Sequence, residues 1–396
     1  TMRAILCREP FALEQVERPA PVLADGEVLV HIRRVGLCGT DYHIYAGNQP
    51  FLSYPRVMGH ELAGEIAAVP VGSALRVGER VTINPYLSCG TCIACRKGKP
   101  NCCTRIAVLG VHTDGGMQDM IAVPERAVIP ADDLTLEQAA MVEFLAIGAH
   151  AVARAKLSPG DRVLVAGAGP IGIAVALFAR LGGARVTIID TRASRLAHAR
   201  DRLGFDDVAT VDDRIRDTLA ARTHGDFFDC VFDATGNIHA MRAGLDHVAN
   251  GGSYVLVSVV PDDLIFADPE FHRRETTLIA SRNALSTDFD RVLAAVRGGD
   301  IPTDALHTHS VDAGDLPERM PRLIAEAVAT AKKAGATATI TVRADSAYYN
   351  HGVVAAARAG GAHFSLTARM DPAVTAAISR IPAQDWVGIQ YPQAIW

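Results

Sequence analysis

From Val163 to Ala179 the chain carries no charged residue, and Gly167, Gly169, Pro170 and Gly172 all fall in the first ten residues of that run. A membrane-spanning helix is a poor reading of a stretch so broken; a buried strand, a tight turn and then a helix is a good one. The turn reads Gly167-Ala168-Gly169-Pro170-Ile171-Gly172, which fits G-x-G-x-x-G, and a second apolar strand, Val186–Ile189, ends at Asp190, 23 residues after Gly167. The pattern alone is weak. Between a strand and a helix, with the acid in place, it predicts a dinucleotide site. The first glycine permits the turn, the second lets backbone approach a pyrophosphate, and the third lets helix and strand pack closely, with the helix N-terminus favouring negative charge. Gly167, Gly169, Pro170, Ile171, Gly172, Asp190 and Arg195 are therefore the candidate cofactor residues. Asp190 can accept from both ribose hydroxyls and would repel a 2′-phosphate, so NAD is expected over NADP. Arg192 and Arg195 keep NADP open, and helix capping is the plainer role for Asp190.

The surrounding texture predicts an α/β chain in several parts. Residues 1–145 hold short alternating runs (Glu27–Ile32, Glu61–Val69, Arg80–Ile83) that read as strands of a small β-rich domain. Residues 146–284 alternate apolar strands (Arg162–Ala166, Arg185–Ile189, Asp229–Asp233, Ser253–Val257) with helical stretches (Gly172–Leu181, Ser194–Leu203), the signature of a doubly wound parallel sheet. Residues 285–327 carry a helical pattern and polar turns, and from about 328 to 396 the chain becomes alanine-rich and lacks cysteine.

Five of the eight cysteines fall between Cys89 and Cys103. The chain opens on a strand-like run, Met2–Leu6, rather than a leader pattern, so such a cluster is expected to bind metal in a reducing, cytoplasmic setting. Cys89, Cys92, Cys95 and Cys103 form C-x2-C-x2-C-x7-C, and four thiolates can close a tetrahedron around zinc with no open position, a structural site. Cys102 stands beside Cys103 and is an alternative fourth ligand. Cys7 and Cys230 read as buried strand thiols. A net charge of −5 with scattered Lys and Arg argues against a nucleic-acid partner, and no membrane association is expected.

A second constellation is dispersed: Cys38-Gly39-Thr40-Asp41-Tyr42-His43, then Gly59-His60-Glu61, then Glu143. Cys38, His60 and Glu61 offer one soft, one borderline and one hard donor, all acceptable to zinc, and three protein ligands leave a position for a substrate oxygen. Taken singly, His60 and Glu61 are as readily strand-edge polar residues.

Together C-G-T-D at 38–41, G-H-E at 59–61, the four-cysteine loop, G-A-G-P-I-G and D-A-T-G at 233–236 resemble the medium-chain zinc-containing alcohol and polyol dehydrogenases, from residue 1 to about 327. The resemblance implies a GroES-like catalytic domain with an inserted Rossmann domain, one catalytic and one structural zinc, and a homodimer or homotetramer. It implies Cys38, His60 and Glu61 as catalytic zinc ligands, with Glu143 joining the metal directly or through water. Ala234, Thr235 and Gly236 should line the cofactor cleft, and Arg282 should lie near the nicotinamide end, a surface ion pair being its plainer role. Many members read Glu-Pro where this chain has Glu143-Phe144. Val108-Leu109-Gly110-Val111-His112, Asp114-Gly115-Gly116 and Ser281-Arg282-Asn283-Ala284 look most like bacterial dehydrogenases acting at carbon 5 of L-galactonate, L-gulonate or L-idonate. Sorbitol, galactitol and L-threonine enzymes are near alternatives. His112 is either substrate-facing or a loop residue making structural hydrogen bonds.

The resemblance further implies that zinc acts as a Lewis acid on a secondary alcohol, while Thr40 takes the proton and relays it to His43 as a general-base chain. Helix capping is the alternative role of Thr40 and Asp41, and Asp41 is also placed to orient a ligand. Beyond Pro321–Glu326 the chain departs. Val342–Tyr349, Thr367–Pro372 and Pro392–Trp396 resemble a fragment of a DDE insertion-sequence transposase, with Asp345 matching one catalytic acid. An incomplete acid set implies an inert, foreign α+β tail, whose alternating Thr337–Arg343 is expected to form a strand replacing the family's terminal one. A nucleic-acid-binding fragment fused to an inactive dehydrogenase is the competing reading.

Overall fold

The structure is a computed structural model that describes residues 1–320 apart from 48, 50 and 51, together with the backbone of two short strands farther on. It divides into two compact units, Thr1–Pro317 and Glu318–Trp396.

The first unit opens with β1 (Met2–Glu9), β2 (Ala12–Arg18) and β3 (Glu27–Gly36), then α1 (Gly39–Tyr45), β4 (Arg56–Val57), β5 (Glu61–Ala68), β6 (Arg80–Ile83) and β7 (Tyr86–Leu87). A cysteine lobe carrying α2 (Ile93–Arg96) follows, then β8 (Ala107–Val108), β9 (Met120–Pro124) and β10 (Val128–Pro130). The strands form an antiparallel five-stranded sheet, β10-β6-β5-β3-β9, a three-stranded sheet, β2-β1-β4, and a small β7-β8 pair. Alternation sets the buried face: Val28 and Val30 of β3 are wholly buried with Leu62, Val81 and Val123 from its neighbours. Burying each such side chain contributes about 1.5–3 kcal/mol.

Two helices, α3 (Leu136–Ala140) and α4 (Val142–Ala155), lead into the second layer. Thr135 and Gln138 make a reciprocal capping box at the start of α3, satisfying donors a short helix otherwise leaves open. Then come β11 (Arg162–Ala166), α5 (Pro170–Leu181), β12 (Arg185–Asp190), α6 (Ala193–Asp201), β13 (Val208–Thr210), α7 (Ile215–Arg222), β14 (Phe228–Asp233), α8 (Ile238–Gly244), β15 (Val248–Leu256), α9 (Asp268–Arg273) and β16 (Thr277–Ala280). All six strands are parallel, in the order β13-β12-β11-β14-β15-β16. Strand order reverses at β11, which pairs with β12 on one side and β14 on the other, and the crevice beyond such a reversal is where doubly wound sheets bind ligands. The unit continues through α10 (Ser286–Arg297) and α11 (Thr303–Leu306).

One core joins the layers. Ala63 of β5, two residues after Glu61, shares it with Leu145 of α4, Val165 of β11, Ile173 of α5 and Phe289 of α10. No helix among the described residues is long and apolar enough to cross a membrane.

Farther along, β17 (Thr341–Ala344) and β18 (His363–Leu366) pair in parallel, Val342 opposite Phe364. The strand expected over Thr337–Arg343 overlaps β17. Residues 337–340, Pro321–Glu326, Asp345 and most of the transposase-like stretches lie outside the described residues.

Candidate active site

Cys38 is the N-cap of α1. Its Sγ accepts the Thr40 N–H at 3.3 Å, and the Asp41 carboxylate accepts the Cys38 N–H at 3.1 Å. The other Asp41 oxygen accepts the Gly59 N–H at 3.3 Å, which ties α1 to the turn before His60. Asp41 thus caps the helix and anchors the second segment at once. His60 Nε2 lies 3.1 Å from Cys38 Sγ, while its Nδ1 faces Asp41 Oδ1 at 3.9 Å. A carboxylate behind a metal-binding histidine is a recurrent orienting device.

Glu61 begins β5 opposite Gly36 of β3, and a Cβ at Gly36 would collide with the Glu61 carboxylate. Only glycine leaves that carboxylate its place. Glu143 enters from the first turn of α4 and is 1% exposed; Tyr86 donates its hydroxyl to Glu143 Oε1. Ligand atoms of Cys38, Asp41 and His60 converge within 4.8 Å of one another, and so do those of His60, Glu61 and Glu143.

This cluster is electrostatically incomplete. Burial, then repulsion from Cys38 and Glu143, pushes the Glu61 carboxyl well above the usual carboxylate range. Burial raises Glu143 too, although His60 and the Tyr86 hydroxyl favour its charged form. Burial raises the Cys38 thiol. Burial alone would lower His60, but Asp41, then Glu143 and Glu61, outweigh it and raise it. Glu143 Oε2 and His60 Nδ1 are buried without a hydrogen-bond partner among the described residues. Several buried anionic donors around one imidazole lack the positive charge that a divalent cation would supply. Two ligands on one tetrahedral zinc sit about 3.5 Å apart for S and N, close to the Cys38–His60 separation. The residues therefore fit a zinc ion.

In the lobe, the sulfurs of Cys89, Cys92, Cys95 and Cys103 lie within 4.8 Å of one another, with Cys92 and Cys95 3.5 Å apart; sulfurs on one zinc stand about 3.8 Å apart. Cys102 is exposed, so Cys103 is the fourth member of the cluster. The Arg105 guanidinium, with the Thr91 and Cys92 N–H groups, lowers Cys89 to about 5, and backbone donors led by Cys95 lower Cys92 to about 6. Desolvation and the neighbouring thiols hold Cys95 up at about 11. Two thiolates are thus ready at neutral pH, and a cation would draw the remaining protons off.

At the glycine turn, Gly167 has φ +100°, and a Cβ at Gly172 would strike the Gly167 carbonyl. Gly169 caps α5 and Pro170 starts it with φ already set for a helix. Asp190 ends β12 and is buried; its oxygens accept the Ala168 and Arg192 N–H groups, each at 2.8 Å, and Arg195 Nη1 stands 3.6 Å away. Asp190 therefore organises the glycine turn from the carboxyl end of β12. Ala234–Gly236 follow β14 at the same strand ends. The Thr235 hydroxyl donates to Asp233 at 2.9 Å, and Ser258 donates to the same carboxylate.

Other candidates are placed differently. Thr40 is half-buried in α1, and His43 is exposed on that helix's last turn. Arg282 is exposed, while its carbonyl accepts from Asn101 Nδ2 at 3.0 Å. His112 Nδ1 accepts the Val108 N–H at 3.1 Å, a structural bond within its loop. Sequence reasoning missed Tyr86 and Gly36; neither has a signal, since their importance lies in residues distant in sequence.

Residues 24–133 match the alcohol dehydrogenase GroES-like domain family and residues 170–297 the zinc-binding dehydrogenase family. The chain is 42% identical to the L-galactonate-5-dehydrogenase of Escherichia coli K12 over 326 residues, 81% of this chain and 95% of that protein. The chain belongs to the zinc-containing medium-chain alcohol dehydrogenases. Members of this family act on a CH–OH group, and the chain is an enzyme of that kind, a zinc-dependent polyol or sugar-acid dehydrogenase. The L-threonine 3-dehydrogenase of Rhizobium rhizogenes K84 is a further relative, 32% identical over 80% of this chain and 94% of its own length. Among solved structures, one described as a short chain alcohol dehydrogenase of E. coli CFT073 with NADH superposes with a TM-score of 0.77 at 31% identity, covering 82% of this chain and 95% of that one. The 2R,3R-butanediol dehydrogenase of Bacillus subtilis superposes at 0.74 with 26% identity, over 82% and 96%.

Proposed function

We propose that the enzyme oxidises a secondary alcohol of a sugar acid, with the carbon-5 hydroxyl of an L-galactonate- or L-gulonate-type substrate preferred and NAD as acceptor. The observation that carries this reading is the buried convergence of Cys38, His60, Glu61 and Glu143 in a chain that also holds a glycine turn at a strand-order reversal. The 42% identity to an L-galactonate-5-dehydrogenase supports the substrate class. Asp190 at the end of β12 supports NAD, since its carboxylate would oppose a 2′-phosphate.

Cys38, His60 and Glu61, with Glu143, would hold the catalytic zinc, and Cys89, Cys92, Cys95 and Cys103 the structural one. When bound, zinc supplies Lewis acidity toward the substrate hydroxyl and NAD supplies the hydride acceptor. Asp41 fixes His60 and Cys38 in register, and the Tyr86 hydroxyl favours the charged form of Glu143, opposing the rise that burial causes. Thr40 Oγ1, two residues after Cys38, receives the substrate hydroxyl proton as it gives up its own, and His43 at the exposed end of α1 passes that proton to solvent. Gly167, Gly169, Pro170, Ile171 and Gly172 cradle the pyrophosphate. Ala234, Thr235, Gly236, Arg195 and Arg282 line the remainder of the cofactor cleft.

A reducing, cytoplasmic setting suits the eight free cysteines. Self-association as a homodimer or homotetramer is supported by β16, an edge strand of the six-stranded sheet with Leu278 exposed. The tail from about 328 onward, with its transposase resemblance, takes no part in this chemistry. The test is NADH production across a panel of aldonates, polyols and L-threonine. Turnover concentrated on C5 hydroxyls of hexonates supports the reading, and preference for L-threonine overturns it.

A further inference from the structure

Asn101 lies in the short turn Pro100–Cys102 of the cysteine lobe, two residues before Cys103, and is only 4% exposed. Its side-chain nitrogen faces two partners from distant parts of the chain. It donates to the Arg282 carbonyl at 3.0 Å and stands 3.2 Å from His150 Nε2 on α4. His150 Nδ1 in turn lies 2.7 Å from Asp288 Oδ2 on α10, and the same oxygen accepts the Leu285 N–H at 2.9 Å. A carboxylate only accepts, so the shared proton sits on His150 Nδ1 and leaves Nε2 to accept from Asn101. The link is reciprocated: Asn283 Nδ2 donates to the Asn101 carbonyl at 3.1 Å.

Residues 281–285, which join the last strand of the dinucleotide sheet to α10, are therefore gripped three times. The lobe holds them at Arg282 and Asn283, and Asp288 holds them at Leu285. His150 and Asp288 are 5% and 2% exposed. Withdrawing a donor from such a buried network is costly, and Asn101 Oδ1 is itself buried without a hydrogen-bond partner among the described residues, so the amide is held through its nitrogen and its backbone carbonyl alone. The turn that presents Asn101 is itself short: Cys103 N–H donates to the Pro100 carbonyl and Cys102 N–H to that of Lys99, each at 3.0 Å. Five residues of turn, Lys99 to Cys103, hold poorly on two hydrogen bonds without an anchor, and Cys95 and Cys103, the ligands on either side, supply one when the lobe is loaded.

We infer that Asn101 is a positioning residue that couples metal occupancy of the four-cysteine lobe to the loop carrying Arg282, and so to cofactor affinity, without touching the reacting atoms. This rests on the assignment of zinc to the lobe and of Arg282 to the cofactor cleft. With the lobe loaded, Asn101 is fixed and the loop is held. With the lobe empty, the turn loosens, the Arg282 carbonyl and His150 Nε2 lose their donor, and the loop opens locally.

The experiment compares full-length wild type, Asn101→Ala, Cys103→Ser and the double variant. It reads zinc per chain, NADH affinity by fluorescence, kcat and KM, and amide exchange of residues 281–288. Asn101→Ala should keep both zinc ions and hold kcat within about twofold, while weakening NADH binding by about tenfold, the scale of one lost buried hydrogen bond. Exchange of 281–288 should quicken. Cys103→Ser should lose one zinc and weaken NADH binding similarly, and the double variant should be no weaker than Cys103→Ser, since both act through one link. Asn101→Leu keeps about the same volume with no donor and no charge, and it takes the place of Asn101→Ala if the smaller side chain impairs folding. Unchanged loop exchange in Asn101→Ala and Asn101→Leu, or effects on NADH that multiply in the double variant, overturns the coupling. Exchange and zinc content need no substrate, so an enzyme that prefers another alcohol leaves this test standing.

Discussion

The Tyr86 hydroxyl donates to Glu143 Oε1, joining the short strand β7 to the first turn of α4 across 57 residues of sequence. Tyr86 is also set edge-on to Phe289, with ring centroids 6.3 Å apart, so the phenol is a packed support with one polar end. In Tyr86→Phe the ring stays and the donor goes. Hydrogen bonds to charged groups contribute about 1.5–3 kcal/mol, so kcat/KM should fall about tenfold or more while the fold is kept. The Tyr86 bond favours the Glu143 carboxylate, whose pKa burial already raises. Its loss raises that pKa further and moves the acid limb of the kcat/KM profile to higher pH. An unmoved limb would remove Tyr86 from the site's electrostatics.

Asp190 holds the Ala168 and Arg192 N–H groups and, with NAD bound as proposed, would accept from the ribose hydroxyls. Asp190→Gly should raise the KM for NAD by about tenfold, since charge-assisted bonds to hydroxyls are lost, and should narrow the preference for NAD over NADP. Arg192 and Arg195 remain to meet a 2′-phosphate. Steady-state kinetics with both cofactors decide this, and a variant with the wild-type ratio of kcat/KM contradicts the role.

His247 is buried beside Phe227, and burial holds its pKa below the ordinary histidine value. The unfolded chain then takes up the proton more readily than the folded one. Its stabilising contribution is complete above the unfolded value of about pH 6.5 and is lost as pH falls below that toward the lowered folded value. Thermal melts from pH 8 to pH 5 should show an acid-side decline that is shallower in His247→Gln.

Deleting 345–396 should leave turnover and zinc content unchanged, because no residue assigned to the chemistry lies there. Loss of NADH production by the shortened chain, with zinc retained, would give the tail a part in the reaction.

What could be read from the sequence was local. The glycine turn, the lobe cysteines and the strands Arg80–Ile83 and Arg162–Ala166 are patterns within a few residues, and the structure has those strands with the same limits. The strand read as Ser253–Val257 runs instead from Val248 to Leu256; its pairing with β14 breaks after Val248 and resumes at Ser253 in a shifted register, with Gly251 and Gly252 in the interruption. The dispersed cluster was legible only through family resemblance, since Cys38, His60 and Glu143 meet by tertiary packing. Tyr86, Gly36 and the Asn101–His150–Asp288 chain carried no signal, because a phenol, a glycine or an amide declares its role only through the residue it faces.

The proposed chemistry requires a metal ion held by Cys38 and His60. Zinc content and NAD-linked oxidation of L-galactonate, measured together on wild type and Cys38→Ser, test it most directly. Two zinc ions per chain and turnover are expected for the wild type, with one zinc and no turnover for the variant. Turnover that persists in Cys38→Ser with one zinc missing would contradict it.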